Sequence, residues 1–445
     1  MNVLVFVRTI DIALLREMAK RGWMIWSSRG LLSQTAPRGV RFRCIEDILS
    51  KDDADQLIVE VGKLANMQLS PSINVDGKDV WPLIEKEARQ TFATQIEAAV
   101  YTSDLVRRLH EKYPLDALVV WTDATPSERA AIFTCKHLGI PTFELRHGSW
   151  AHYLQGHFEC ESLVDTVLSP GEEDKLFLEF YGNRNDIVVT GKPQYDCTAV
   201  ADAQMLRQQA REKYGITSDR PVIMYCTTWR HQHDYWEYTD PEPNSLRVVL
   251  QTHASLKQVC NPFLIIKLHP QMAGMLQQYQ SFCEYHKVTD YAITDVDASI
   301  ILPTADVVVS HQSSVISECI IYGIRSIVIE FRPYNDHGFF NGRGFVPCSR
   351  PEQLETEIGR LLLDREYKVK LDAEIAANKF FWAGQNDGYS SERCCDVIEE
   401  RVNARRGNHR STDELDKAPR QGDAADTWQA DAGEAGRAPA KVAAG

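Results

Sequence analysis

No stretch of this sequence approaches the roughly 18 to 20 consecutive apolar residues that span a bilayer, so a transmembrane helix is not expected. Positive charge is also scarce. Lys and Arg number 49 against 62 Asp and Glu, a formal net charge of −13. Binding a phosphate backbone needs concentrated cations that release counterions, so a nucleic-acid partner is not expected and any basic site must be local. An acidic chain gains little from anionic lipid, which leaves peripheral association as its one route to a membrane surface. The eleven cysteines, an odd number, contain no C-x-x-C pair and no zinc-type spacing. This usage predicts reduced, mostly buried thiols in a cytoplasmic protein, with the adjacent Cys394 and Cys395 as helix residues and not a disulfide. Internal repeats are absent, and residues 403–445 have almost no large apolar side chains, so they are expected to form a disordered tail.

What is present is a chain of 445 residues, too long for one ordinary core and suited to two domains. Hydrophobic residues at 44% and charged residues at 25% are near globular averages, so most of the chain can bury enough surface to order itself. The sequence opens directly on a short apolar strand from Val3 to Val7 and a helix from Ile10 to Lys20 stopped by Gly22, from which a mature cytosolic N-terminus is expected. Strand and helix then alternate. Leu118 to Trp121, Thr142 to Leu145 and Ile187 to Thr190 read as strands, with helices at Pro126 to His137 and Glu172 to Tyr181. A polar stretch near residue 200 is followed by a second series, with strands at Val222 to Cys226, Phe263 to Leu268, Val307 to Ser310 and Ser326 to Glu330, and helices at Leu246 to Val259 and Val315 to Tyr322. This rhythm predicts two Rossmann-like doubly wound parallel sheets facing a cleft, an α/β architecture of the GT-B type.

Ligands of open α/β sheets bind beyond the carboxyl ends of the strands, which directs attention to four loops. The first carries Arg146, His147 and Gly148, where a histidine suits a general base. In the second, Thr227, Thr228, Trp229 and Arg230 follow a buried strand, with hydroxyl donors and a guanidinium for a phosphate or base. In the third, Lys267 and His269 alternate with apolar residues, point to one side and can reach an anion. In the fourth, Ser310, His311, Gln312, Ser313 and Ser314 turn a strand into a helix whose free amides and dipole suit a diphosphate, and Glu318 one turn on can accept hydrogen bonds from ribose hydroxyls. Each has a plainer reading: a backbone-bonded loop histidine, a surface arginine, an ordinary serine cap, a solvated glutamate. His231, His233 and Asp234 look like a metal trio without a fourth ligand, and Asp295 and Asp297 form a D-x-D too short to weigh, so no metal is assigned.

Taken in order, these segments resemble the CDP-glycerol glycerophosphotransferase family, the GT-B-fold enzymes of teichoic-acid and capsule synthesis. His147-Gly148 is similar to its His-Gly loop, Thr190-Gly-Lys-Pro-Gln-Tyr-Asp196 to its Gly-x-Pro-x-x-Asp linker, and Tyr225 to Arg230 to its Ala-Pro-Thr-Trp-Arg strand end. Lys267 to Pro270 matches its second histidine, Ala305 to Ile316 its Ala-Asp-x-x-Ile-Thr-Asp-Tyr-Ser-Ser segment, and Asn341 to Phe345 its Arg-Gly-Phe turn. The resemblance covers about residues 115 to 360. It implies that His147 activates an acceptor hydroxyl, while His269, Ser313 and Ser314 hold a donor diphosphate without a metal or other cofactor. The breaks near residues 200 and 402 divide the chain into an acceptor domain at 1–200, a nucleotide-donor domain at 201–385, a C-terminal helix at 386–402 and the tail at 403–445.

The family's Thr-Asp-Tyr-Ser-Ser is here Ser310-His311-Gln312-Ser313-Ser314, and Ser317-Glu318 with Gly323 is similar to the Ser-Glu-x-x-x-x-Gly helix of nucleotide-sugar glycosyltransferases. A sugar donor therefore fits as well as a glycerol one. The expected partners are a nucleotide-activated donor and a polysaccharide or lipid-linked acceptor, met at the inner face of the cell membrane. Two other readings stand beside the transferase: a UDP-N-acetylglucosamine 2-epimerase-like enzyme, against which no acidic pair is found near Arg332-Pro333, and a non-catalytic nucleotide-binding relative.

Overall fold

Apolar runs such as Val222–Cys226 and Val307–Ser310 become strands buried on both faces, as parallel sheets covered by helices require. The structure is a computed structural model. It describes residues 1–6, 12–28, 40, 42–65, 73–146, 163–183, 185–228, 241–311, 313–331 and 342–416. The strands are β1 (Asn2–Phe6), β2 (Met24–Ser27), β3 (Phe42–Cys44), the hairpin β4 (Asn74–Val75) and β5 (Lys78–Asp79), β6 (Ala117–Val120), β7 (Thr142–Leu145), β8 (Thr166–Ser169), β9 (Asp186–Val189), β10 (Val222–Cys226), β11 (Phe263–Lys267), β12 (Tyr291–Thr294), β13 (Val307–Ser310), β14 (Arg325–Ile329) and β15 (Val346–Cys348). The helices of the first half are α1 (Ile12–Lys20), α2 (Lys51–Ala65), α3 (Trp81–Lys112), α4 (Pro126–His137) and α5 (Glu172–Phe180). They are followed by α6 (Asp196–Ala199), α7 (Ala203–Tyr214), α8 (Pro241–Leu256), α9 (Leu276–Tyr285), α10 (Ala298–Ile301), α11 (Val315–Tyr322), α12 (Pro351–Leu363), α13 (Arg365–Ala383) and α14 (Ser390–Asp416).

One sheet of seven strands runs β3-β2-β1-β6-β7-β8-β9 and a second of six runs β12-β11-β10-β13-β14-β15, all pairs parallel. Two doubly wound halves are thus present, as the alternation of elements predicts, and they are parts of one unit from Met1 to Val402. In each sheet the strand order reverses beside its first strand, between β1 and β6 and between β10 and β13. Such a reversal opens a crevice at the carboxyl edge.

The chain crosses between the halves twice. After β9 it passes through Gly191 and the 3-10 turn Pro193–Tyr195, and after α13 it returns at Gly384 to enter α14. There α14 joins the core of the first half: Cys394, Cys395, Ile398 and Val402 belong to the same apolar cluster as Val3, Val5 and Leu14. Asp196 caps the returning helix. Its carboxylate accepts from the amides of Ser390 and Ser391 at 2.8 and 2.9 Å and from the Ser391 hydroxyl at 2.6 Å. Two glycines here leave no room for a side chain. A Cβ on Gly191, whose φ is +78°, would lie 2.5 Å from Ser390 Oγ, and one on Gly171 would lie 2.5 Å from the Phe381 carbonyl oxygen.

The sequence places the end of order near Val402, but α14 continues to Asp416. Once a helix is nucleated each added residue contributes a hydrogen bond, so it can run past its last packed side chain into polar sequence. Residues 417–445, the rest of the expected tail, lie outside the described residues. All ten cysteines among the described residues are free, Cys394 and Cys395 included.

Replacing Asp196 by Ala removes three acceptor contacts from the α14 N-terminus and is expected to lower stability by about 1–2 kcal/mol. Asn, which keeps one acceptor, should fall between. Urea unfolding midpoints of the three proteins check this order.

Candidate functional site

Register places the carboxyl ends of the second sheet in one row. Cys226 pairs with Lys267 on one side and Ser310 on the other. The residues that follow, Thr227 and Thr228, Leu268 and His269, His311 and Ser313, therefore emerge along one edge, with the β10–β13 crevice between the threonines and the serines.

Thr227 is buried and stitches two of these loops together: its amide donates to the Lys267 carbonyl at 2.9 Å, and its hydroxyl oxygen accepts from the His269 amide at 2.8 Å. The expected ligand donor is thus also a brace, although a hydroxyl that accepts keeps its own proton to donate. Thr228 is half-buried, and its amide donates to Glu242 at 3.1 Å. Glu242 also receives the hydroxyls of Tyr225 at 3.0 Å and Tyr279 at 3.3 Å, so one buried carboxylate fixes the loop after β10. Sequence reasoning missed this residue. Its signal was the Pro241-Glu242 start of α8, a proline and an acid in a first helical turn.

His269 sits just past the end of β11, half-buried, and caps the 3-10 turn Pro270–Met275 with Nδ1 accepting from the Gln271 amide at 3.2 Å. With Nδ1 an acceptor, the ring proton is on Nε2, which makes that edge a hydrogen-bond donor. Lys267 does not share its position. Its side chain is buried, and its ammonium donates to the Leu268 carbonyl, an engagement that the alternation along the strand did not reveal. Lys267 is the last residue within the sheet, whereas His269 has already left it.

On the other side of the crevice, Ser314 is the N-cap of α11 and makes no side-chain capping bond, while Ser313 Oγ accepts from the Val315 amide at 3.4 Å. Both are half-buried. The plain capping role therefore engages Ser313 and leaves the Ser314 hydroxyl at the positive end of the helix. His311, at the end of β13, is buried.

Glu318 is buried as well, only 5% exposed, so it is not a solvated helix glutamate. Burial raises its carboxyl to about 7, against the pull of the Lys192 and Lys267 ammoniums. Lys192 comes from the first crossing and was not singled out from sequence. It is 2% exposed, and its Nζ lies 5.0 Å from the centre of the Tyr195 ring. Tyr195 packs on Ile321 and Ala383, which brings the crossing against α11 and α13.

The first-half loop is anchored by Arg146. Its guanidinium donates to Glu144 and Asp174, both at 3.2 Å, and all three side chains are buried. His147 and Gly148 follow outside the described residues, as do Trp229, Arg230, His231, His233, Asp234, Gln312, Arg332, Pro333 and Asn341. Asp297 has an ordinary role: it caps α10 by accepting from the Ser299 amide at 2.9 Å. Among the described residues no group of three or more His, Cys, Asp or Glu side chains could hold a metal ion. A groove of about 270 Å³ lined by Arg207, Asp306 and Arg325 opens at the amino ends of β13 and β14, the wrong end for a strand-end ligand. Its Arg207 is engaged by three backbone carbonyls and Asp306.

Two doubly wound halves with a crevice at the carboxyl edge of each sheet define a protein of the GT-B class. The chain belongs to the CDP-glycerol:poly(glycerophosphate) glycerophosphotransferase family, whose model matches residues 134–400. It is accordingly a transferase of the glycerophosphotransferase kind. Among solved structures it is similar to UDP-GlcNAc 2-epimerase from Neisseria meningitidis bound to UDP-GlcNAc, with a TM-score of 0.54 and 15% identity over 90% of this chain and 100% of that one. S. aureus MnaA in complex with UDP aligns with a TM-score of 0.56 and 11% identity over 90% and 97%. A histidine-to-alanine variant of the wall teichoic acid polymerase TagF aligns with a TM-score of 0.51 and 13% identity over 91% and 89%. No curated protein matches the chain.

Glu318 yields a stability prediction. Its carboxyl titrates near 4.5 when unfolded and near 7 when folded, so the unfolded state loses its proton first as pH rises. The carboxyl's contribution is therefore intact below pH 4.5, is lost through about pH 7, and is flat above. The difference in unfolding free energy between wild type and Glu318→Gln should fall by roughly 3 kcal/mol across that window. Denaturant titrations of both proteins from pH 4.5 to 8.5 measure it.

Proposed function

We propose that the protein transfers a glycerophosphate or sugar group from a nucleoside diphosphate donor to a hydroxyl of a cell-surface polysaccharide or glycolipid acceptor. The observation that carries this reading is the register that brings the ends of β10, β11 and β13, with Thr228, His269 and the Ser313–Ser314 helix start, to one edge of the sheet at the β10–β13 crevice. Amide dipoles and a ring N–H there suit a donor's phosphates. His147 is assigned as the general base. It takes the proton of the acceptor hydroxyl, whose oxygen bonds to the donor's phosphorus or anomeric carbon as the bond to the leaving nucleotide phosphate breaks. His269, Ser313, Ser314 and Arg230 are assigned to the charge that develops on the leaving group, and Glu318 to the ribose. Protein groups carry the neutralisation in this scheme, without a bound metal.

Support also comes from the neighbours. Two of the TagF structures are of histidine variants, one of them soaked with CDPG at a TM-score of 0.52 and 14% identity. The family match favours transfer over epimerisation, since the epimerases are alike in fold alone. No helix among the described residues is long and apolar enough to cross a membrane. We place the protein in the cytoplasm, meeting its acceptor peripherally at the inner membrane face.

A thermal-shift panel of CDP-glycerol and CMP-, UDP- and GDP-sugars should show a selective rise with one nucleotide, and no rise with any defeats the donor assignment. With that donor, His147→Ala should lower transfer by about 10²-fold or more while nucleotide binding persists. Unchanged transfer would remove His147 from its role. Chelation with EDTA is expected to leave the rate unaltered, and incubation of UDP-N-acetylglucosamine alone to give no epimer.

A further inference from the structure

Three charged side chains are buried together where the first crossing meets the second half. Lys192, Lys267 and Glu318 are 2%, 5% and 5% exposed. Buried charges persist only when they are neutralised by one another or by hydrogen bonds. Lys267 already donates to its own neighbour's carbonyl and stands on β11, in the same half as Glu318. Lys192 arrives from outside the second sheet, on the crossing that Tyr195 seats against α11 and α13.

The other groups that face Glu318 are Tyr195 from the crossing, Asp297 at the start of α10, the Cys226 thiol at the end of β10, and Cys319 and Tyr322 on its own helix. None of these is a cation. Of the two lysines, Lys192 exerts the stronger pull on the Glu318 carboxyl. A carboxylate accepts hydrogen bonds at both oxygens, whereas a carboxylic acid must donate one, so its protonation state decides whether it can receive a pair of hydroxyls.

We propose that Lys192 is a positioning residue of the donor site: carried to α11 by the crossing, its ammonium is the counter-charge that keeps Glu318 an acceptor for a vicinal diol on the bound nucleotide. This rests on the donor-site reading given above. It makes the ligand-ready state of a second-half residue dependent on a side chain from the first crossing.

The test has a ligand-free arm and a nucleotide arm. In the first, unfolding is followed from pH 4.5 to 9 for wild type, Lys192→Met and Lys192→Arg, each with and without Glu318→Gln. Lys192→Met should carry the fall in stability to higher pH than in wild type, Lys192→Arg should restore it, and Glu318→Gln should erase the difference. Coincident profiles for Lys192→Met and wild type, or a shift that survives Glu318→Gln, would overturn the pairing. Should Lys192→Met fail to fold, recovery of folding in the Lys192→Met/Glu318→Gln double variant carries the same test, and failure to recover overturns the pairing.

In the second arm, CDP and UDP are titrated calorimetrically. Lys192→Met should weaken binding of the better nucleotide roughly tenfold at pH 7. The deficit should narrow towards pH 9, and Lys192→Arg should restore affinity. A deficit of the same size at every pH assigns Lys192 a structural role and overturns the proposal. If wild type binds neither nucleotide, the donor reading falls and Lys192's role in it falls too, while the ligand-free arm still decides the charge pair.

Discussion

The geometry of the cleft depends on the seam where the chain passes between its halves. At this seam Gly171 lies against the backbone of Phe381 and Gly191 against the side chain of Ser390, each so close that a methyl group would collide. Contact at that distance leaves little freedom for sliding, and it is completed by the Asp196 carboxylate on the first amides of α14. The helix that carries Glu318 packs on this join. The first crossing carries Lys192 and Tyr195, and α13 packs on the helix that carries Glu318.

The two sheets were readable because strands covered on both faces must be apolar throughout. Val222–Cys226 and Val307–Ser310 appear with both ends where the residues place them. Edge strands escape that rule. Tyr291–Thr294 and Val346–Cys348 are short, mixed with polar residues or proline, and gave no signal. α2 was missed because Ile58 and Val59 face outward on a charged helix, which blurs its apolar stripe. α8 begins at Pro241, ahead of the Leu246 start expected from its apolar residues, since proline reads as a breaker but is at home in a first turn.

The candidate site was legible as a set of positions and much less as a set of depths. The strand-end rule found Thr227, Thr228, His269, Ser313 and Ser314, and parallel register brings their loops to one edge. It could not tell that Lys267, His311 and Glu318 are enclosed, because enclosure is set by elements far away in sequence. Glu242 and Lys192 were invisible for the same reason. Each acts on groups that only the fold brings near, Glu242 on two tyrosines and a loop amide, Lys192 on a helix more than a hundred residues on.

The docking of α14 against the first sheet also has a bearing on biosynthesis. Cys394, Cys395, Ile398 and Val402 pack on the sheet that begins at Asn2, so this core is left incomplete until residue 402 has emerged from the ribosome. The amino-terminal half must wait with that part of its core open while the second half is translated. Closing a loop of that length is slow compared with local pairing. Of the two halves, the one made earlier is therefore completed later, by a helix that follows the other.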